Sequence, residues 1–200
     1  GCPKNLVDSE KLLARLAEGG CVVGAPMDAA DVVIINTCGF IAPAVAESLD
    51  VIAEARRLKA AGKVRRIVVA GCLVNRLGES LFDRASGIDA IIGVNDRDSI
   101  LSAVLGEQRI SRISATPAAA AGDAGRFRLT PTHTAYLRIA EGCSRRCTFC
   151  TIPSIRGLFR SKSPAMVLAE ARELLADGAV ELNVIAQDTT NYGRDIGGGD

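Results

Sequence analysis

The chain has 200 residues, 48% of them apolar, and its 24 Lys and Arg against 23 Asp and Glu leave a formal net charge of +1. That length can bury a good core in one domain or two, and the charge balance gives no global pull toward nucleic acid or an anionic surface. No apolar run reaches the roughly 20 residues of a membrane span, and no secretory signal is visible. Seven cysteines form no dense framework of a small secreted domain, so a reducing, cytoplasmic setting is expected.

In chain order, Asp8-Ser9-Glu10 predicts a helix cap, followed by Leu12, Leu13 and Leu16 on one helical face and a stop at Gly19-Gly20. Cys21-Val22-Val23 reads as a strand start, with Cys21 a core thiol and not a ligand. Val32-Val33-Ile34-Ile35 is a short continuous apolar run, which suits a strand covered on both faces. A helix from about Pro43 to Gly62 follows. Ile67 to Ala70 and Ala90 to Val94 are further strands, with helices expected over 77–85 and 98–105. Strands alternating with helices predict an α/β unit with an open parallel sheet.

Three cysteines fall where strands of that sheet end. Cys38 follows the run 32–37, Cys72 follows 67–70, and Cys2 precedes the first helix, where an earlier strand would end. The carboxyl ends of parallel strands share one edge, and ligands bind there. Gly1, Gly39 and Gly71 stand beside these cysteines and would let backbone approach a bulky group. Two readings stand, a second iron–sulfur cluster or three separate buried thiols.

From Ser111 to Thr134 the pattern breaks down, and Thr116 to Gly122 reads as a flexible linker. Arg126-Phe127-Arg128 mixes charge with an aromatic and is a candidate for docking on one unit. The expected division is a first domain over 1–110, a linker over 111–134 and a second unit over 135–200. That unit opens with a strand over 135–140, continues with a helix from Ser163-Pro164 to Gly178, and returns as a strand over 180–186. This order fits the start of a (β/α) barrel, whose chemistry sits at the carboxyl ends of its strands.

Between the first strand and the helix lie Cys143, Cys147 and Cys150, at C-x-x-x-C-x-x-C spacing. A short loop with three thiolates can wrap one 4Fe–4S cube and leave its fourth iron open. A zinc site would want a second ligand pair, and His133 is the only histidine. Three cysteines this close also leave one without a disulfide partner. From Cys143 to Lys162 the chain carries Arg145, Arg146, Arg156, Arg160 and Lys162 and no acid. That stretch reads equally as a solvated basic face or as an attractor for an anionic cluster, a carboxylate or RNA.

The cysteine spacing resembles the signature of radical S-adenosylmethionine (SAM) enzymes, and the two triads together resemble the methylthiotransferases. The likeness is carried by Gly1 to Glu10, Asn36 to Ile41, Ala70 to Leu73, Ile152 to Gly157 and Ile185 to Thr190. The resemblance implies that Cys143, Cys147 and Cys150 hold the 4Fe–4S cluster whose open iron binds SAM. It implies that Cys2, Cys38 and Cys72 hold an auxiliary 4Fe–4S cluster carrying the methylated sulfur, and that one SAM supplies a radical and another a methyl group. Cys-Pro-Lys-Asn, Cys-Gly-Phe-Ile and Ala-Gln-Asp-Thr-Thr resemble the branch that modifies an aspartate β-carbon in a small-subunit ribosomal protein. The transfer-RNA branch, or an iron–sulfur redox protein without turnover, are the alternatives. An electron donor protein is implied as partner, as is RNA contact through a carboxyl-terminal domain that the chain lacks. No membrane partner is expected. Both ends of the chain look cut. The Gly-Gly-Glu motif usual in radical SAM enzymes is not seen, and Gln187 and Asp188 stand in its place as candidate SAM contacts.

Overall fold

The computed structural model describes residues 1–197. Its first half is a four-stranded parallel sheet in the order β1 (Val32–Thr37), β2 (Arg66–Gly71), β3 (Ala90–Ile92) and β4 (Ile110–Arg112). Its helices are α1 (Pro3–Glu18), α2 (Ala42–Ala60), α3 (Cys72–Leu77), α4 (Ser80–Arg84) and α5 (Ile100–Leu105). The strands are apolar on both faces because helices cover both. Val33, Ile35, Ile67, Val69 and Ile91 pack on α2, α3 and α4. Val68, Ala70, Ala90 and Ile92 pack with Leu12 and Leu16 of α1 and Ile100, Ala103 and Val104 of α5. The two sets alternate along each strand, as the pleat requires. Burying each such Val or Ile contributes about 1.5–3 kcal/mol.

Several elements differ from the sequence reading. Helix α1 starts five residues early, with Pro3 in its first turn and Cys2 as its N-cap. Proline has no N–H to lose there and its φ already suits the helix. Asp8 and Glu10 are therefore interior and buried, where they pair with arginines and do not cap. Val22 is 96% exposed and Cys21-Val22-Val23 forms no strand, although Cys21 does lie against the core on the α1 side. The helix expected over 77–85 is only Ser80–Arg84, and a separate helix, Cys72–Leu77, ends before it at Gly78. β4 was not expected, since only Ile110 in it is apolar. It is held through backbone, with Gly93 N–H on Arg112 O at 2.7 Å and Ile110 N–H on Asp89 O at 3.0 Å.

In the second half β5 (Thr134–Arg138) pairs in parallel with β8 (Glu181–Ile185). Helix α7 (Pro164–Ala176) crosses between them, with Ser163 Oγ accepting Met166 N–H as its cap. Leu174 buries against Ala135, Leu137 and Ala179. A second small ladder, β6 (Ala140–Glu141) against β7 (Arg160–Ser161), is antiparallel and closes the neck of the cysteine loop. A short helix, α6 (Ile152–Arg156), lies inside that loop.

The segment 111–134 is docked in its later part, which includes the docking candidate Arg126-Phe127-Arg128. Asp123 is buried, its N–H donates to Glu170 Oε1 at 2.7 Å, and its carboxylate takes Arg138 and Lys162. Arg126 pairs with Glu10 at 3.3 Å, and Phe127 N–H donates to Glu10 O at 3.1 Å. Small residues gave no pattern there, but a single acid facing two buried cations is enough to fix the chain.

The contact between the two halves is charged. Asp8 Oδ1 accepts from Arg138 at 2.7 Å and Arg97 at 2.9 Å, and its Oδ2 from Arg156 at 2.8 Å. Glu141 accepts from Arg138 at 2.7 Å, Arg156 at 2.9 Å and Gln187 at 3.0 Å. Lys162 joins Asp123 to Glu170. Burial alone would raise the Asp8 carboxyl, but Arg156, Arg97 and Arg138 outweigh it and hold the group well below the usual carboxylate range. Asp123 is driven the same way by Arg138 and Lys162 against its burial, and Glu141 by Arg138 and Arg156 against its own.

Candidate metal centres

The first cysteine group is assembled by sheet register. Thr37 of β1 sits opposite Gly71 of β2, so Cys38 and Cys72 leave neighbouring strands at one level. Gly39 then passes so close to the start of α3 that a Cβ there would stand 2.8 Å from the Cys72 carbonyl atoms. The start of α1 is pinned to the same edge. Asn5 Nδ2 donates to Asn36 Oδ1 at 3.0 Å and to Thr37 O at 3.3 Å, and Asn36 Nδ2 returns a bond to Asn5 O at 2.9 Å. Cys2, one turn earlier, is held at that edge and is exposed, Cys38 is half-buried and Cys72 is buried. A cleft lined by Gly1, Asn36, Cys38 and Ser48 opens on one side, and another, lined by Cys2, Asn5, Ser9 and Tyr136, opens toward β5.

Cys21 is separate from this group. Its N–H bonds Leu16 O at 2.9 Å beyond the far end of α1. A 16-residue helix spans about 24 Å, so Cys21 stands at the opposite edge from Cys2.

The second group lies on the loop between β6 and α6. Gly142 has φ +77°, and a side chain there would meet Leu158 O at 2.2 Å and Gly157 O at 2.6 Å. That close passage lets Cys143 N–H reach Gly157 O at 3.1 Å. Phe159 N–H donates to Ser144 Oγ at 3.1 Å, and Cys150 N–H to Cys147 O at 3.1 Å. The neck is thus fixed while Cys147 stays exposed, Cys150 half-buried and Phe149 85% exposed. His133 precedes β5, at the end away from this loop, and its carbonyl serves Val180 and Glu181. Five strand residues put it roughly 16 Å from the loop side, which removes it as a fourth ligand. Among the described residues no three Cys, His, Asp or Glu side chains stand at the spacing of one metal ion. A cube carries each thiolate on a different iron, so wider spacing suits it.

Two of the sequence candidates are placed at the end of β8. Asp188 is engaged on both oxygens, by Thr190 Oγ1 at 2.7 Å and Arg145 Nε at 2.8 Å, which hold its carboxyl below the ordinary range. It therefore ties the cysteine loop to β8. Gln187 donates to Glu141, while its Oε1 is buried with no partner among the described residues. The basic stretch is neither a solvated face nor a free anion attractor for most of its length. Arg156, Arg160 and Lys162 are buried, and Arg156 and Lys162 pair with acids brought from far away in sequence. Only Arg145 and Arg146 remain at the surface.

Sequence reasoning gave no separate role to Arg156. Its Nη2 lies 3.3 Å from Cys72 Sγ. Burial pushes the Cys72 thiol up, and the Arg156 charge and hydrogen bond work against that. Its place inside the motif Ile152 to Gly157 was the available signal.

Comparison with known proteins follows the same division. Residues 1–93 match the model described as uncharacterized protein family UPF0004, and residues 137–198 match the radical SAM superfamily. A protein of Solibacter usitatus named ribosomal protein uS12 methylthiotransferase RimO is 44% identical over 98% of this chain and 42% of its own length. Proteins of the same name from Desulfosudis oleivorans and Syntrophus aciditrophicus are 45% and 43% identical, over 98% and 99% of this chain and 46% and 45% of theirs. Across nearly its whole length the chain is similar to radical SAM methylthiotransferases. It spans about half the length of the curated relatives it matches.

The match of residues 137–198 to the radical SAM superfamily implies a 4Fe–4S cluster and SAM. The donor set of this chain fits such a cluster. Cys143, Cys147 and Cys150 are three soft ligands on one loop whose neck only glycine permits. The Cys2, Cys38 and Cys72 edge fits in the same sense, with soft donors and a backbone pass at Gly39 that a side chain would block.

Proposed function

We propose that this chain carries the two cluster-binding parts of an enzyme that adds a methylthio group to the β-carbon of an aspartate in ribosomal protein uS12. Residues 1–110 form the methylthiotransferase domain, 111–134 the connection, and 135–200 the start of the radical SAM domain. Cys143, Cys147 and Cys150 hold the SAM-cleaving 4Fe–4S cluster, and Cys2, Cys38 and Cys72 hold the auxiliary one. When bound, the clusters and SAM supply one-electron and sulfur chemistry that side chains lack, which a C–H bond of no usable acidity requires. The protein's part is to hold, orient and enclose. Gly142 and Ser144 fix the neck of one loop, Gly39 and Asn5 the edge of the other. Gln187 Oε1 offers a buried acceptor for the SAM amine, and Asp188 acts through Arg145.

The observation that carries this reading is the register of β1 on β2, which brings Cys38 and Cys72 to one level beside a helix start that bears Cys2. The setting is a reducing cytoplasm, and no described helix is long and apolar enough to cross a membrane. An electron donor protein is a required partner, and RNA contact belongs to a carboxyl-terminal domain. Mass spectrometry of uS12 from cells lacking the gene tests the proposal. The modified aspartate should lose the mass of one methylthio group. Unchanged uS12 with unmodified transfer RNA would transfer the assignment to the transfer-RNA branch.

A further inference from the structure

Arg156 bonds a cysteine of the first group and an acid that stands two residues before the second. Its side chain is about 2% exposed. Nη1 donates to Glu141 Oε1 at 2.9 Å, two residues before Cys143. Nη2 donates to Asp8 Oδ2 at 2.8 Å and to Cys72 Sγ at 3.3 Å. The helix that bears it packs on α3, with Ile155, Cys72 and Val94 in one small apolar cluster. Guanidinium is planar and permanently charged, and its donors sit in a rigid fork, so these bonds fix the Cys72 sulfur relative to the second cysteine loop. Asp8 and Glu141 orient the fork from the other side. A buried cation donating N–H to a thiolate favours whichever state carries more negative charge. For a thiolate on an iron–sulfur cluster that is the reduced state, and hydrogen bonds to sulfur are a recognised control of cluster potential.

We propose that Arg156 is a positioning residue for the cluster held by Cys2, Cys38 and Cys72, raising its reduction potential and fixing it against the Cys143 loop. This inference rests on the assignment of an auxiliary cluster to those three cysteines. Gln187, Glu141, Arg156 and Cys72 then form a continuous hydrogen-bonded line from the end of β8 to that cluster.

The test is an anaerobic potentiometric titration followed by electron paramagnetic resonance, on full-length protein reconstituted with iron and sulfide. Each reduction takes one electron per cluster from dithionite. A Cys147→Ala background isolates the auxiliary cluster and a Cys38→Ala background the other. Arg156→Lys keeps the charge and loses the fork, so Asp8 and Glu141 are not left without a cation. It should weaken the preference for the reduced auxiliary cluster about tenfold, a fall of 59 mV for one electron, and leave the other cluster unmoved. In arginine-labelled nitrogen-15 protein that is otherwise Cys147→Ala, the reduced cluster should show coupling to an arginine nitrogen, a readout that needs no change at residue 156. An unmoved potential in Arg156→Lys with iron retained, equal shifts in both backgrounds, or no arginine coupling overturns the inference. Full-length protein without these substitutions that holds iron for one cluster alone overturns the auxiliary-cluster assignment and this inference with it.

Discussion

At the scale of single residues the cysteines differ by what each one's neighbours allow. Cys147 is exposed on a loop whose neck is fixed elsewhere, so Cys147→Ala should leave the fold intact while abolishing SAM cleavage in the full-length enzyme. Cys38→Ala should leave deoxyadenosine formation and abolish the methylthiolated product. Chromatography of both products checks the pair, and equal loss of deoxyadenosine in the two variants would speak against separate roles. Cys21→Ser, at the far edge, should keep the iron of both clusters. Gly39 gives a sharper case. A methyl there meets the Cys72 backbone at 2.8 Å, and backbone cannot rotate aside. Gly39→Ala should cost about 1–3 kcal/mol by overpacking and lower iron bound at Cys2, Cys38 and Cys72, while iron at the second loop is retained. Iron analysis in the Cys147→Ala and Cys38→Ala backgrounds separates the two.

At the scale of elements, α6 is where local and long-range order meet. Five residues are too few for a helix to stand alone, and α6 holds because Ile155 buries against Cys72 and Val94. Ile155→Ala should therefore cost about 2–5 kcal/mol, seen as a lowered urea midpoint, and should weaken cluster retention at Cys72 more than at Cys147. The same helix shows why some elements were legible and others not. β1, β2 and β3 are continuous apolar runs and were readable one by one, and their order put Cys38 and Cys72 at strand ends. β4 has one apolar residue and α6 begins inside a loop, so neither carries a periodic signal of its own. Asp8 looked like a cap because capping is a local rule. Its partners Arg138 and Arg156 lie 130 and 148 residues away, beyond any local pattern. The basic run from Cys143 to Lys162 misled partly for the same reason, since Asp8 and Asp123 come from far away in sequence, while Glu141 and Glu170 stand just outside its two ends.

For the whole molecule those ion pairs join the two halves, which makes their joint stability a function of acid. Asp8 and Asp123 have ordinary values of 3.8 and Glu141 of 4.5, and all three are lowered in the folded chain. In that window the unfolded chain binds more protons than the folded one, so stability rises with pH. The contribution is fully present above the unfolded values and is lost as pH falls through the folded ones. Each group can add a slope of up to about 1.4 kcal/mol per pH unit. Asp8→Asn removes the carboxylate while keeping its size, and leaves Arg97, Arg138 and Arg156 short of one acid. Near neutral pH the variant should be about 3–5 kcal/mol less stable, the range for breaking a buried pair. As pH falls below 3.8 Asp8 of the unfolded chain takes up its proton while the folded carboxyl stays charged, so the native protein loses stability and the gap between the two proteins should narrow. Urea midpoints taken at intervals from pH 7 down to pH 3 check this, with cluster absorbance followed separately so that acid loss of iron is counted in both. A gap that stays constant across that range would mean that Asp8 contributes by shape and hydrogen bonding alone, and that its charge does not hold the two halves together.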